Sequence, residues 1–186
     1  MEKKVLVVGG GVNGLSTGIC LLEDGWNVTI YSAEFSPNTT SDVAAALWYP
    51  FLSAPVEKTD VWGSRTYDIL KLLTGDKNTG IEMTQTYEYF RNPQPDPTWM
   101  STVDNFERIT QGLPSDYVEC FSFTTQIIEM PIYLKWLMDR FQKLGGLIEK
   151  IEVDDFSKLP SEFNIIVNCT GLNSGKLFSD PDVYPV

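Results

Sequence analysis

A glycine-rich turn near the N-terminus has the residue types and spacing that best fit a chemical function. The apolar run at 5–8 leads into Gly9, Gly11 and Gly14, in the pattern Gly-x-Gly-x-x-Gly. In this pattern the first glycine permits a sharp turn, the second lets the backbone approach a pyrophosphate, and the third lets a helix pack closely on the sheet. The N–H groups in the first turn of a helix starting near Val12 would favour the phosphates. The sequence therefore predicts a dinucleotide-binding turn.

The surrounding elements strengthen this interpretation. A strand precedes the glycines, a helical run follows over 15–23, and a second apolar strand is predicted at 28–31. Strand, helix and strand at these distances make a βαβ unit, which is the context that the glycine pattern needs in order to bind a dinucleotide.

An acidic residue at the end of the second strand of such a unit binds the ribose hydroxyls. Here Ser32 and Ala33 come first, and the candidate is Glu34, which stands 20 positions after Gly14 (34 minus 14). An ordinary solvated surface glutamate explains the same residue, because most exposed carboxylates have no specific ligand.

A second block, at 38–51, combines hydroxyl groups, small residues and aromatic residues. Thr39, Thr40 and Ser41 offer hydroxyl donors, and Ser41 or Asp42 is expected to cap a short helix. The alanines at 44–46 leave room for a large flat group. From the residues alone, an ordinary capped helix packed by alanines fits equally well.

Composition narrows the class of protein. The chain has 186 residues, 42% of them hydrophobic and 21% charged, which is typical of a soluble globular protein. Its formal charge of -11 would repel nucleic-acid phosphates and anionic membranes, so neither is an expected partner. Because the chain contains no histidine, it cannot form a Ser-His-Asp triad or a histidine-based metal site, and we expect no metal.

Targeting signals are weak. The apolar run at 5–8 is too short for a signal peptide and is broken by glycines, and no stretch approaches the ~18 apolar residues of a membrane helix. We therefore expect an intracellular protein.

The rest of the chain predicts a mixed α/β fold. Helical periodicity covers 61–73 and 133–144, with Pro131 suited to the first turn of the second helix and Gly145 and Gly146 to its end. Strands are predicted at 83–90, 119–128, 147–151 and 164–167. The last two are short apolar runs that suit a parallel sheet buried on both faces.

Three separated blocks carry a family resemblance. The glycine turn, the segment at 39–51 and the later Asn-Cys-Thr-Gly at 168–171 together resemble the N-terminal half of the D-amino-acid oxidases, the flavoenzyme family that includes D-aspartate oxidase. The segments at 95–99 and 133–137 also resemble family segments in order and spacing. The resemblance extends over nearly the whole chain.

The resemblance implies a Rossmann-like FAD-binding domain with a parallel sheet and part of an inserted antiparallel substrate domain. We place the FAD domain at 1–52 and 130–186, and the inserted part, for substrate and interface, at 53–129. The resemblance also implies where FAD would be held. The residues that correspond are Gly9, Gly11, Val12, Asn13, Gly14, Leu15, Ala33, Glu34, Thr39, Thr40, Ser41, Ala45, Ala46, Leu47, Trp48, Val153, Thr170 and Gly171.

Within that set, the segment from Ala45 to Trp48 corresponds to the one that the family lays along the flavin ring, and Leu47 and Tyr49 would lie on the substrate side. Val153 would meet the adenine. The catalytic residues and the family's carboxylate-binding arginine are expected in a C-terminal half that this sequence does not contain. We interpret the four arginines present, Arg65, Arg91, Arg108 and Arg140, as surface charges.

The function implied is oxidation of a D-amino acid to an imino acid, and then to a 2-oxo acid and ammonia, with oxygen reduced to hydrogen peroxide. A fragment of this kind is expected to be inactive alone and to need a companion C-terminal half or a homo-oligomer. The family would place it in the cytoplasm of a bacterium or in the peroxisome of a eukaryote. Three alternatives stay open: D-aspartate oxidase, a non-catalytic FAD-binding module, and a nicotinamide-dependent dehydrogenase built on the same βαβ unit.

Overall fold

A computed structural model describes residues 3–185, which form two compact units. The first unit holds the described residues up to Ala44 and those from Met130 onward, and the second is Ala45–Glu129. The strands in chain order are β1 (Lys4–Val8), β2 (Asn27–Ser32), β3 (Ala46–Leu47), β4 (Ile81–Phe90), β5 (Asp104–Ile109), β6 (Glu119–Ile128), β7 (Leu147–Lys150) and β8 (Ile165–Asn168). The helices are α1 (Val12–Glu23), α2 (Val56–Leu73), α3 (Met130–Lys143) and α4 (Asn173–Phe178).

The first unit is built on a parallel sheet of four strands in the order β7-β2-β1-β8. Val5, Leu6 and Val7 of β1 are fully buried because the central strand is covered on both faces. On one face Leu6, Val8 and Tyr31 pack against side chains of the long connection between β7 and β8. The mixed α/β fold with a parallel sheet that the sequence predicts is confirmed.

Helices α1 and α3 pack against each other beside the sheet. A Cβ added at Gly18 of α1 would lie 2.7 Å from the ring of Phe141, a fully buried residue of α3. Helix α3 ends as the glycine pair predicts: Gly146 N–H donates to the Phe141 carbonyl and Gly145 N–H to the Gln142 carbonyl, each at 3.0 Å. Gly145 has φ +91°, a conformation that L side chains rarely adopt, so glycine terminates the helix here.

The second unit contains an antiparallel sheet in which β6 pairs with β3, β4 and β5. β4 and β6 are aligned over their whole length, from Ile81 opposite Ile128 to Phe90 opposite Glu119. Helix α2 contributes Tyr67, whose ring meets the Trp48 ring edge-on with 5.0 Å between centroids. Trp99 and Phe123 extend the same aromatic core.

The two units divide the chain at 44/45 and at 129/130, whereas the sequence places the first domain limit at 52/53. Segment 45–52 groups with the second unit because β3 pairs with β6 and Trp48 N–H donates to the Gln126 carbonyl at 2.9 Å. The predicted domains stay a prediction, since contacts alone do not define independent folding. Their outer limits, at residues 1 and 186, lie outside the described residues.

Over the described range 3–185, none of the helices combines the length and the apolar character that crossing a bilayer would require.

Candidate functional site

A cavity of about 430 Å³ opens at the carboxyl edge of the parallel sheet. The four strands run in the same direction, so the residues that follow each of them gather at one edge. These residues line the cavity at 9–11 after β1, 33–34 after β2, 151–154 after β7 and 169–171 after β8. Ligands of open α/β sheets bind at this edge, where the strand order reverses around β1.

The glycine turn at the end of β1 is sterically restricted. Gly9 has φ +120°, and a Cβ there would lie 2.1 Å from the carbonyl oxygen of Cys169. A Cβ at Gly14 would lie 1.8 Å from the carbonyl oxygen of Gly9. Both obstacles are backbone atoms that cannot move without displacing β1 or β8. The structure thus gives the first and third glycines the turning and packing roles that the fingerprint predicts.

The N-terminus of α1 faces the cavity through its backbone. Gly10 N–H donates to the Ser32 hydroxyl at 2.9 Å, and Val12 N–H donates to the Ser41 hydroxyl at 3.1 Å. Gly11 and Asn13 both line the cavity, and in the described part of the chain their N–H groups have no hydrogen-bond partner. These are the donors that a helix start offers to an anionic ligand.

The hydroxyl block at 39–41 forms one side of the cavity, but its local structure differs from the prediction. A 3-10 turn covers Thr40–Val43, and Thr39 occupies the N-cap position. Neither Ser41 nor Asp42 is the N-cap residue of this turn, but both accept from a backbone N–H at the start of a helix: Asp42 forms a capping box with Thr39, and Ser41 accepts from Val12 of α1. Asp42 reaches back to accept from the Thr39 N–H at 2.8 Å and from the Ser36 hydroxyl at 2.5 Å.

Glu34, the candidate ribose ligand, lies at the cavity and is about half exposed. Its carboxylate is 3.0 Å from the Lys150 ammonium at the end of β7. Its backbone carbonyl accepts from the Ser32 hydroxyl at 2.6 Å, which connects the loop after β2 to the glycine turn. A paired, half-exposed carboxylate at this edge retains free lone pairs for ribose hydroxyls.

Most of the predicted residues of the first unit gather around this one cavity. Those that line it are Gly9, Gly11, Asn13, Ala33, Glu34, Thr39, Thr40, Ser41, Val153, Thr170 and Gly171. Val12, Gly14 and Leu15 lie in α1 but do not line it, and Gly14 and Leu15 are buried against the sheet. All three help to place the start of the helix, and their predicted contact with FAD stays a prediction.

The remaining predicted residues belong to the second unit: Ala45, Ala46, Leu47, Trp48 and Tyr49. They do not form a helix packed by alanines, because Ala46 and Leu47 pair with Ile128 and Ile127 of β6. The Trp48 side chain is buried and donates to the Gly63 carbonyl at 3.0 Å. That the segment 45–48 lies along the flavin, and that Leu47 and Tyr49 face the substrate, stay predictions.

The Tyr49 side chain is held in the second unit by polar and aromatic contacts. Its hydroxyl lies 2.7 and 2.8 Å from the two carboxylate oxygens of Glu88, and its ring stacks on Phe123. Burial, followed by the hydrogen bond and the charge of Glu88, raises the pKa of Tyr49. The phenol therefore stays protonated at neutral pH.

Sequence reasoning missed several cavity residues. These are Val8, Gly10, Tyr31, Ser32, Asn38, Ile151, Glu152, Asp154, Cys169, Asn173, Lys176 and Leu177. Many of them adjoin the carboxyl ends of the parallel strands, where ligands of such sheets bind. Their position directly after a predicted strand is the signal that could have found them. Lys176 and Leu177 lie on α4, a helix of six residues whose pattern is too short to predict.

Two titratable groups at the sheet edge, Cys169 and Tyr31, are uncharged at pH 7. Burial raises the pKa of the Cys169 thiol, although a hydrogen bond with Thr17 acts in the opposite direction. Burial and then the carboxylates Glu149 and Glu162 raise the pKa of Tyr31. Both side chains are neutral at pH 7, so the fixed carboxylates, the lysines and the helix start dominate the local field.

The arrangement fits an adenine dinucleotide. The cavity volume of about 430 Å³ lies within the ~300–1,000 Å³ typical of small-molecule sites. The glycine turn has no side chains that would keep a ligand from the backbone, two N–H donors line the cavity, and the Glu34 carboxylate lines it just after β2. Each is a feature that binding of a pyrophosphate and a ribose requires.

Comparison with known families and proteins agrees with this geometry. Residues 4–186 match the family model named DAO, described as FAD dependent oxidoreductase. The chain is 36% identical over 185 residues to a D-amino-acid oxidase of Rubrobacter xylanophilus, covering 98% of the chain and 57% of that enzyme. It is 33% identical over 196 residues to the human D-aspartate oxidase, covering 98% and 57%. The chain thus spans a little over half the length of these curated relatives.

Solved structures support the fold. L-alpha-glycerophosphate oxidase from Mycoplasma pneumoniae, with FAD bound, aligns with a TM-score of 0.72 at 16% identity, over 95% of this chain and 56% of that one. Glycine oxidase from Bacillus cereus aligns with a TM-score of 0.66 at 20% identity, over 96% and 58%. At these identities the likeness concerns the fold alone.

Proposed function

Because the chain belongs to the DAO family of FAD-dependent oxidoreductases, we propose that it forms the cofactor-binding half of an oxidase acting on D-amino acids. The cofactor of this family is FAD. The observation that carries the proposal is the cavity at the carboxyl edge of the parallel sheet, where the glycine turn, the start of α1 and Glu34 meet.

In this proposal the chain's own residues hold and orient the cofactor. The N–H groups of Gly11 and Asn13 would donate to the pyrophosphate, with the α1 dipole adding to the attraction. Glu34 would accept from the ribose hydroxyls, and the backbone near Val153 would meet the adenine. Thr39 and Thr40 also line the cavity, where Thr40 would provide a hydroxyl donor, whereas the Thr39 hydroxyl donates to Asp42.

The chemistry that FAD would supply here is a two-electron oxidation. A D-amino acid would lose a hydride from Cα and a proton from its ammonium group to become an imino acid, both would end on oxygen as hydrogen peroxide, and water would hydrolyse the imino acid to a 2-oxo acid and ammonia. In the proposal, the segment Ala45 to Trp48 lies along the flavin, and Leu47 and Tyr49 form part of the substrate side. Substrate binding and turnover would require a companion C-terminal half. The chain alone would bind the cofactor and remain inactive.

The test separates cofactor binding from turnover. The purified chain is titrated with FAD, and binding is followed by flavin fluorescence. It is then co-expressed with the C-terminal half of the Rubrobacter xylanophilus D-amino-acid oxidase, and the complex receives D-alanine, D-aspartate or L-alanine without oxygen. We expect one of the D-amino acids, and not L-alanine, to bleach the flavin, and peroxide to form when oxygen is admitted.

Two results would count against the proposal. A chain that takes up no flavin, either alone or with the added half, removes its basis. A flavin-loaded complex that L-alanine reduces faster than either D-amino acid rejects the substrate class. The ratio of the rates with D-aspartate and D-alanine decides between an acidic and a neutral substrate, a choice that the D-aspartate oxidase among the relatives leaves open.

A second candidate is a FAD-binding module without catalysis. The cavity favours this candidate, because its lining suits a cofactor and the proposal assigns none of its residues to binding a substrate. Tight flavin binding, with no bleaching by any D-amino acid in the reconstituted complex, would support this candidate over the oxidase.

A further inference from the structure

The cavity is lined by more negative than positive side chains, although its proposed ligand is itself negatively charged. Among the described residues that line it, Glu34, Glu152 and Asp154 are acidic and Lys176 is the one base. The whole chain has a formal charge of -11. These carboxylates would oppose the attraction of the α1 start for a pyrophosphate, and further positive charge nearby would strengthen binding.

Two of the acidic residues already have cationic partners. Glu34 lies 3.0 Å from Lys150, and Asp154 lies 3.7 Å from Lys158. Neither lysine lines the cavity. Because each lysine pairs with a carboxylate, its positive charge is largely offset and would attract a bound phosphate only weakly.

Lys176 differs from both. It lies on α4, just beyond the Thr170 and Gly171 loop that also lines the cavity. Within the described chain its ammonium has neither an ion-pair partner nor a hydrogen-bond acceptor, and the side chain is exposed. A lysine with no internal partner, at the edge of a cavity suited to a dinucleotide, is available to an anionic ligand.

We propose that Lys176 is a cofactor-affinity residue, whose ammonium supplies the positive charge that offsets the acidic lining when a nucleoside diphosphate group binds. This inference rests on the proposed FAD cavity and adds a residue that the glycine fingerprint does not include. The contribution is electrostatic and long-range, so it depends on the ligand's phosphates and weakens as salt is added.

The experiment uses ADP, which has the adenosine and pyrophosphate of FAD, and adenosine, which lacks the phosphates. Dissociation constants are measured by calorimetry for the wild-type chain and for Lys176→Gln, Lys176→Arg and Lys135→Gln. Lys135 lies on α3, does not line the cavity, and controls for the loss of one positive charge. Each titration is run at about 0.01 M and about 1 M ionic strength.

At low ionic strength we expect Lys176→Gln to bind ADP about three- to fivefold more weakly than wild type, a loss of the size that an exposed ion pair gives. The loss should shrink at high salt, adenosine binding should not change, and Lys176→Arg and Lys135→Gln should behave as wild type. Two results would overturn the inference and leave the proposed FAD cavity intact. One is that Lys176→Gln weakens adenosine binding as much as ADP binding, and the other is that Lys176→Gln and Lys135→Gln bind ADP equally well. A wild-type chain that binds neither ADP nor FAD rejects the cavity and the inference together.

Discussion

The hydroxyl of Ser41 accepts a hydrogen bond from the N–H of Val12 at 3.1 Å. These residues are far apart in the chain, and the bond ties the polar turn at 40–43 to the first residue of α1. A helix start has several N–H groups without internal partners. Ser41 therefore completes the helix N-terminus from outside, because the N-cap residue, Gly11, has no side chain that could accept.

Replacing Ser41 tests this relationship. Ser41→Ala should lower the free energy of unfolding by about 1 kcal/mol, the net value of one hydrogen bond. Urea denaturation measures the change. Ser115→Ala is the matched control, because Ser115 is exposed and, among residues 3–185, its hydroxyl hydrogen-bonds only to the neighbouring Asp116. Equal stability of the two variants would show that the bond to Val12 adds nothing.

Gly14→Ala tests the close packing of α1 on β1. The added Cβ would lie 1.8 Å from the Gly9 carbonyl oxygen, so either the helix or the glycine turn must shift. We expect a loss of about 3 kcal/mol or more, as overpacking against rigid backbone produces. ADP binding should weaken too. Gly75→Ala is the control, because no heavy atom of the described residues other than its chain neighbours lies within 4 Å of its added Cβ. If Gly14→Ala unfolds at the same urea concentration as Gly75→Ala, the packing role is refuted.

Strong periodicity explains which elements could be predicted. The buried strand β1 and the amphipathic helix α3 have unbroken patterns, and both are found where the sequence predicts them. β5 was missed because its sequence, Asp-Asn-Phe-Glu-Arg-Ile, is mostly polar and belongs to a half-exposed strand. The division of the contacts at 44/45 depends on the pairing of β3 with β6, which joins residues about eighty positions apart and which no local pattern encodes.

The candidate site was predictable where a motif fixes the backbone. Gly9 and Glu34 could be placed at the sheet edge because the fingerprint puts a glycine after the first strand and an acidic residue near the end of the second. Both line the cavity, and the ribose-binding role of Glu34 stays a prediction. Lys176 could not be placed in this way, because its position at the cavity depends on how β8 and α4 fold back to the sheet edge. Asp42 could be identified as a capping side chain from composition, but its partner, the Thr39 N–H, could not, because composition does not show which backbone N–H a carboxylate reaches.

The acid sensitivity of the turn at 40–43 should depend on Asp42. Burial raises the pKa of its carboxyl group, but hydrogen bonds from Ser36 and Thr39 outweigh that effect, so the net pKa lies below the ordinary value of 3.8. A depressed folded-state pKa stabilises the fold above the unfolded-state pKa, and this stabilisation is lost as the pH falls through the folded-state value.

Measuring the free energy of unfolding between about pH 6 and about pH 3 tests this sign. The stability difference between wild type and Asp42→Asn should be greatest near pH 6 and decline below about pH 4. Asp68→Asn, which removes an exposed carboxylate from α2, provides the comparison. A difference that grows as the pH falls would contradict the hydrogen bonding assigned to Asp42.

Arg108 was interpreted as a surface charge, but it joins a network that fixes the proline-rich loop at 93–97. Its guanidinium pairs with Glu119 and donates to the Gln94 carbonyl at 2.9 Å. Glu119 is only 4% exposed and also accepts from the Gln94 N–H at 2.7 Å. The Gln94 bond, followed by Arg108, holds the pKa of Glu119 below its ordinary value, although burial opposes both.

Arg108→Gln should therefore destabilise the second unit by leaving a buried carboxylate without its cation. We expect its unfolding midpoint in urea to fall well below that of Arg91→Gln, which removes an exposed arginine stacked on Tyr117. Adding Glu119→Gln to Arg108→Gln should recover part of the loss, since the unpaired charge is then gone. If the double variant is less stable than Arg108→Gln alone, the carboxylate was not the source of the destabilisation, and Arg108 acts chiefly through its contact with the Phe121 ring.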